Sequence, residues 1–469
     1  MRIASVTLLA TLLTASRASA QPAVTQRAAA ARTFPADSVV LRILMERVAD
    51  RRSAGIVVGM LEPDGSRRIV SFGDPGPGQP PLDENSVFEI GSITKVFTST
   101  ILAQLVQEGK VHLDDPAQKY LPASVHLPTR NGKQITLAAL SEQNSGLPRM
   151  PTNFHPADSA NPYADYTVPQ MYEFVSGYQL TRDPGEQFEY SNLGVGLLGQ
   201  VLSLATGTPY EELLRQRIFT PLGMSHTAIA LTPWMKAHLA RGHTPAGAVT
   251  ANWDLLALAG AGAIRSTAGD MLAFAAANLH GERGALQRAM AFAHQERADA
   301  GPMRIGLNWM SSHVGTDTIV WHNGGTGGYR AFLGLVPSHS SAVVVLTNSG
   351  GTGADDIGMH LLAPTIPLAP KPQPRKERIA IEVPATLLST LVGGYRLAPT
   401  FLMEVTVSDG ALFVQATDQP RLRLWAETGS DYFLKEVDAQ VTFVRDAQGH
   451  VTSLVLHQNG QNQVAPKVQ

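Results

Sequence analysis

A serine and a lysine three residues apart, Ser92 and Lys95, stand near the start of FEIGSITKVFTSTILAQLVQEGKVHLDDP at residues 88–116. Residues three apart share one face of a helix, so the amine can reach the hydroxyl. A lysine kept out of water is easier to deprotonate and can accept the serine proton, while the orphan N–H groups of a helix start can stabilise an oxyanion. The chemistry is that of an activated nucleophile. Composition alone places about one Ser-x-x-Lys in a chain of this size, so the pair gains meaning from what accompanies it.

Two further clusters do. Tyr190-Ser191-Asn192, within PGEQFEYSNLGVGLLG, stands in a loop just before a helix with Leu193, Leu197, Leu198 and Val201 on its face. A tyrosine hydroxyl near Lys95 can shuttle protons between nucleophile and leaving group, and Asn192 can offer its amide to a substrate carbonyl. The alternative is a turn tyrosine with a capping asparagine. In WHNGGTGGYRAF, a strand carrying His322 runs into Asn323, Gly324 and Gly325, where glycine lets the backbone lie close to a bound substrate. The N–H of Gly325 can then join that of Ser92 as an oxyanion hole, the alternative being a Gly-rich hairpin turn.

These groups need a scaffold. Asp37 is expected to cap a helix over SVVLRILMERVAD, and GIVVGMLEPDG and RRIVSFGDPG read as strands joined at Pro63-Asp64-Gly65. Helices are expected at 93–108, 168–177, 193–206, 209–218 and 267–279, and TIVWHNGGTGGYRAFLGLVPSHSSAVVVLTNSG suggests three antiparallel strands. Strands at both ends of a helical middle predict an α+β domain over 36–361, an antiparallel sheet flanked by helices. The Pro-rich and basic stretch 362–384 reads as a linker. Residues 385–469 carry strand signals with Asp409-Gly410 and Gln448-Gly449 turns and no helical period, which predicts a small all-β sandwich or barrel.

Composition narrows the function. The 469 residues are 44% hydrophobic and 16% charged, enough apolar material for a large core and a second one. A net charge of -2 leaves no electrostatic footprint for nucleic acid. Arg2, the apolar run Ile3 to Leu13 and Ala18-Ser19-Ala20 fit a signal peptide over 1–20 cleaved near Ala20, followed by a leader over 21–35 and a periplasmic or secreted product. No later window reaches the length a membrane helix needs. The absence of cysteine means that an exported fold here holds together without disulfides. No His-Glu-x-x-His spacing occurs among the 14 histidines, so no metal is expected, and Gly324 to Gly328 lacks the Lys-Ser/Thr of a phosphate loop; no cofactor is expected.

Taken in order, the three clusters, with SGLP and AGAIRSTAGDMLAF, closely resemble the serine β-lactamase and penicillin-binding protein superfamily, in its class C β-lactamase-like branch. The resemblance covers roughly residues 40 to 355 and implies a β-lactamase/transpeptidase-like fold, with Ser92 as acyl-accepting nucleophile, Lys95 as its proton partner, Tyr190 as base and Asn192 on the substrate amide. The C-terminal segment resembles the lipocalin-like domain of some members, a binding cup or, as favoured by the lack of a convergent polar set, a structural cap. Two departures stand out. His322-Asn323-Gly324 replaces the usual Lys-Thr-Gly, and Gln143-Asn144 replaces His-Thr before SGLP, a change expected at the pocket wall. The resemblance implies an exported serine hydrolase acting on β-lactams or D-Ala-D-Ala-type peptides. A family-VIII-like carboxylesterase is the alternative, favoured by the missing lysine, and a slowly deacylating penicillin-binding sensor is a third. His322, in the lysine's place, is expected to attract a substrate carboxylate weakly at neutral pH and more strongly toward about pH 6.

Overall fold

The computed structural model describes residues 33–279, 284–351, 353–371, 378–398, 401–417, 421–437, 439–458 and 461–468. The expected signal peptide and most of the expected leader lie outside these residues. The end of the leader is packed: Phe34 is 3% exposed, and the Thr33 N–H donates to Glu62 Oε2 at 2.9 Å. The chain divides into two compact units, Met1–Pro370 and Lys371–Gln469.

In the first unit, helix α1 (Asp37–Ala49) precedes the hairpin β1 (Gly55–Leu61) and β2 (Arg67–Gly73). Its turn is at the expected Pro63-Asp64-Gly65, where Gly65 takes φ +84 and Asp64 Oδ1 accepts from Ser66 N at 2.9 Å. Asp37 does not cap α1. The N-cap is Ala36, and Asp37 sits inside the first turn, where its carboxylate accepts from Arg68 Nε at 2.9 Å. A carboxylate there still meets the positive end of the helix dipole.

Helix α2 (Thr94–Gln107) follows strand β3 (Val87–Glu89), and α3 (Val168–Gly177) matches its expected span, with Thr167 and Gln170 forming a capping box. Next comes α4 (Asn192–Thr206); the helix expected at 209–218 is α-helical only over Tyr210–Leu214 and widens into a π turn over Arg215–Phe219. Strand β4 (Arg265–Thr267) pairs with β3 and takes the first residue expected in helix α5, which runs over Ala268–Leu279. Strands β5 (Ala298–Ala300), β6 (Met303–Ile305), β7 (Met310–Val314), β8 (Asp317–Gly325), β9 (Arg330–Val336) and β10 (Ser341–Thr347) lead to α6 (Asp355–Leu362).

The main sheet has the order β2-β1-β10-β9-β8-β7-β6-β5, antiparallel at each pairing. It joins the first strands of the unit to the last. Side chains alternate across a strand: Ile56, Val58 and Met60 face Val40, Leu44, Ile357 and Leu361 of α1 and α6, whereas Val57 and Leu61 face the large core containing α2 and α5. Covered on both faces, β1 and β10 are buried throughout. In the large core Phe97 of α2 stacks on Phe274 of α5 at 3.9 Å between ring centroids, which fixes the nucleophile's helix against the sheet. The sequence-expected α+β fold is the fold observed.

The second unit is a closed eight-stranded barrel. Tyr395, Tyr432, Phe443, Met403, Val405, Leu412 and Leu454 belong to its buried core, with Phe443 edge-on to both tyrosines. These side chains fill its interior, as in small barrels. A short helix α7 (Ala385–Leu391), absent from the sequence reading, adds Leu388 and Leu391 to that core. Seven residues are too few to establish a helical period against the strand signals around them.

Candidate active site

The site forms where the turn before α2 meets the end of β8. After β3, Ile90 N donates to Ile264 O at 3.1 Å, and a 3-10 turn over Gly91–Ile93 delivers Ser92 to the start of α2. The two backbones touch. A Cβ on Gly324 would stand 1.9 Å from Ile90 O and 3.0 Å from Ser92 N, and one on Gly91, whose φ is +51, would stand 2.6 Å from Gly325 N. Glycine is required at both positions, and this approach packs the backbone of Gly91–Ser92 against that of Gly324–Gly325.

Lys95 is fully buried on α2. Its Nζ lies 3.1 Å from Ser92 Oγ, 2.8 Å from Asn192 Oδ1 and 2.7 Å from Ala261 O. Burial, reinforced by the Arg149 charge, holds it well below the ordinary lysine range. A neutral amine has two N–H groups and one lone pair. In that form the carbonyl oxygens of Asn192 and Ala261 would take the first two and leave the lone pair for the Ser92 hydroxyl.

Asn192 is therefore not the cap of α4. Ser191 is: its Oγ accepts from Gly194 N at 2.8 Å and donates to Pro148 O at 2.6 Å. That division of labour frees the Asn192 amide for Lys95 and the cavity. Tyr190 interacts with Ser92, and its ring lies 4.8 Å from Lys95 Nζ and 5.0 Å from the Arg149 guanidinium carbon. Burial pushes its phenol up to about 12, so it keeps its proton. The resemblance assigns Tyr190 the base's role and Lys95 that of proton partner; burial raises the phenol and lowers the amine, which favours the amine as acceptor of a proton.

The loop bearing Tyr190 is held by Gln143. This side chain, 1% exposed, accepts from Ser191 N at 2.6 Å and donates to Asn308 Oδ1 at 2.7 Å, and its carbonyl accepts from Glu189 N at 2.6 Å. Asn308 in turn donates to Ser99 Oγ of α2 at 2.8 Å. Gln143 and Asn144 are thus not at the pocket wall, where the sequence reading put them. Gln143 instead ties the tyrosine loop to the nucleophile's helix.

His322 also departs from expectation. It is 2% exposed and does not line the cavity; its Nδ1 meets Asn323 O at 2.6 Å, and its Nε2 has no hydrogen-bond partner among the described residues. Burial and the neighbouring Lys95 push it down to about 3. A neutral, enclosed imidazole cannot attract a carboxylate near pH 6, so that expectation is corrected. The next residue faces the cavity instead: Asn323 donates to Asp355 Oδ2 at 2.6 Å, and Asp355 interacts with Arg330.

Ser92, Tyr190, Asn192, Asn323, Gly324 and Gly325 line a cavity of about 530 Å³. Its other walls include Arg149, Met150, Tyr163, Trp253, Arg330 and Asp355, which the sequence reading did not name. Arg149 directly follows SGLP, and that adjacency was the available signal.

The Beta-lactamase family model matches residues 40–363, and a domain of unknown function (DUF3471) matches residues 377–467. The chain is 31% identical over 338 residues to the D-alanyl-D-alanine-carboxypeptidase/endopeptidase AmpH of Escherichia coli (strain K12), covering 65% of this chain and 84% of that protein. It is 28% identical over 340 residues to a Beta-lactamase of Pseudomonas fluorescens, covering 65% and 91%. Among solved structures, a Beta-lactamase/D-alanine Carboxypeptidase from Yersinia pestis complexed with citrate superposes with a TM-score of 0.58 at 26% identity, covering 67% of this chain and 94% of that one.

Proposed function

This chain belongs to the beta-lactamase family and is a serine hydrolase, and from that premise we propose that it forms an acyl-enzyme through Ser92 on β-lactams or D-Ala-D-Ala-type peptide amides. The observation that carries the reading is the buried Lys95 amine 3.1 Å from Ser92 Oγ, with no carboxylate paired to it among the described residues.

In the proposed reaction, Ser92 Oγ bonds to the substrate carbonyl carbon as its proton passes to Lys95. The oxyanion lies between the N–H groups of Ser92 and Gly325, and Asn192 holds the acyl-side amide. When the carbon–nitrogen bond breaks, Tyr190 gives its proton to the leaving nitrogen and recovers one from Lys95. Water then attacks the ester, its proton returns through the same groups, and Ser92 is released, so that amide and water become acid and amine.

A second reading, a carboxylesterase, is favoured by the neutral, enclosed His322 in place of a lysine, since an ester needs no cation for a terminal carboxylate. Intact-mass analysis after exposure to a β-lactam, with Ser92→Ala beside it, tests the first reading: a stoichiometric adduct lost in the variant supports it. Rapid p-nitrophenyl butyrate turnover with no β-lactam adduct and no nitrocefin hydrolysis supports the second. The reading extends to export. It is supported by the sequence of residues 1–20, and N-terminal sequencing of the product from an exporting host tests it.

A further inference from the structure

Two arginines line the cavity. Arg330, at the start of β9, is engaged: its Nη1 donates to Thr326 O at 2.7 Å and Tyr329 O at 2.9 Å, and it faces the Asp355 carboxylate. Arg149, on the wall it forms with Met150, Tyr190 and Asn192, is exposed and makes no ion pair among the described residues. Its backbone is fixed, because Arg149 O accepts from Asn192 N at 3.0 Å and from Leu193 N at 3.3 Å. Its guanidinium is carried over the Tyr190 ring. The charged groups facing the cavity are thus Arg149, Arg330 and Asp355; the last two offset each other, and Arg149 leaves a net positive charge.

Which part of a substrate meets that charge follows from its neighbours. Asn192, which the proposed function sets against the acyl-side amide, shares this wall, with its Nδ2 3.8 Å from Met150 Sδ. Tyr163 and Trp253, ring centroids 5.0 Å apart, continue it as an aromatic platform. An acyl side chain leaving the Asn192 contact would run along Met150 and these rings, with the guanidinium on the same wall. We infer that Arg149 is a specificity-determining residue that binds a carboxylate on the acyl side chain of the substrate. The inference rests on the acyl-enzyme reading above. A guanidinium fork matches a carboxylate bidentately, and the aromatic platform suits the carbon stem that bears it.

The test uses two penicillins that differ by one acyl-side carboxylate, carbenicillin and benzylpenicillin, on the full chain and on Arg149→Gln. The ratio of kcat/KM for carbenicillin to that for benzylpenicillin should fall about tenfold in the variant, through KM, as expected for one exposed charge-assisted contact. Added salt should lower the ratio in the wild type but not in the variant. Arg149→Lys should recover only part of it. If Ser92 acylates with both penicillins and the substitution leaves the ratio unmoved, Arg149 does not read the acyl side and the inference fails alone. If the wild type forms no adduct with either, the inference and the reading beneath it fail together.

Discussion

A Cβ on Gly324 would stand 1.9 Å from the carbonyl oxygen of Ile90, inside any permissible contact. The obstacle is backbone, so no side chain can move aside to relieve it. Gly324→Ala should therefore displace the end of β8 from the Ser92 turn. Separating the two amides of the proposed oxyanion hole by about 1 Å should cost about a hundredfold in kcat. Steady-state kinetics beside circular dichroism checks this, and a folded variant with activity within a few-fold of wild type would show that the close approach does not set the geometry.

Lys95 combines a functional role with a stability signature. Lys95→Ala should lower kcat/KM by about a thousandfold, the scale of a lost proton acceptor. Because burial lowers its folded pKa from 10.5, the unfolded chain binds more protons than the folded one between that lowered value and 10.5. In that window the stability contributed by Lys95 rises with pH. The difference in Tm between wild type and Lys95→Met should thus shift in favour of wild type from about pH 7 to about pH 10. A constant difference would mean that the folded protein keeps the ammonium.

The two units have separate apolar cores, and the first is finished at its own C-terminus. Arg52 Nη1 donates to Ala369 O at 3.1 Å and to Pro370 O at 3.3 Å, and Ala369 N donates to Asp356 Oδ2 at 2.7 Å. A chain ending at Pro370 keeps these contacts and all the candidate site residues. It should remain folded and retain most of the activity, as seen by thermal melting and by turnover of the best substrate found. Aggregation of that shorter chain would show that residues 371–469 are needed to cover or hold it.

What the sequence made legible were features that repeat or cluster: the short apolar runs of strands β8, β9 and β10 between turns, the span of helix α3, and the Ser-x-x-Lys pair with its companions. These depend on local spacing and survive folding unchanged. Gln143 was misplaced because its role is long-range, linking Asn308 to Ser191, and no spacing announces that. Asp37 was misread as a cap because its carboxylate found Arg68, thirty-one residues away, rather than its own helix. Arg149 carries no sign of function beyond its place after SGLP, and only the folded loop sets it over Tyr190.

His322 shows how burial overrides residue type. An ordinary histidine gains charge as pH falls through about 6.5, and at a cavity wall it would then draw in anionic substrates. This one is 2% exposed, and burial together with Lys95 pushes it down to about 3, so it stays neutral through the range in which the enzyme is assayed. Two other groups can gain a proton toward acid: Asp355 at the cavity, which burial raises, and Lys95 beside Ser92, which burial lowers. Both act equally with or without the imidazole. The ratio of KM for a carboxylate-bearing substrate to KM for p-nitrophenyl butyrate should therefore follow the same course in wild type and in His322→Gln from about pH 7.5 to about pH 5.5. A preference for the anionic substrate that grows in acid and vanishes in His322→Gln would mean that the imidazole titrates near its ordinary value and does read the carboxylate.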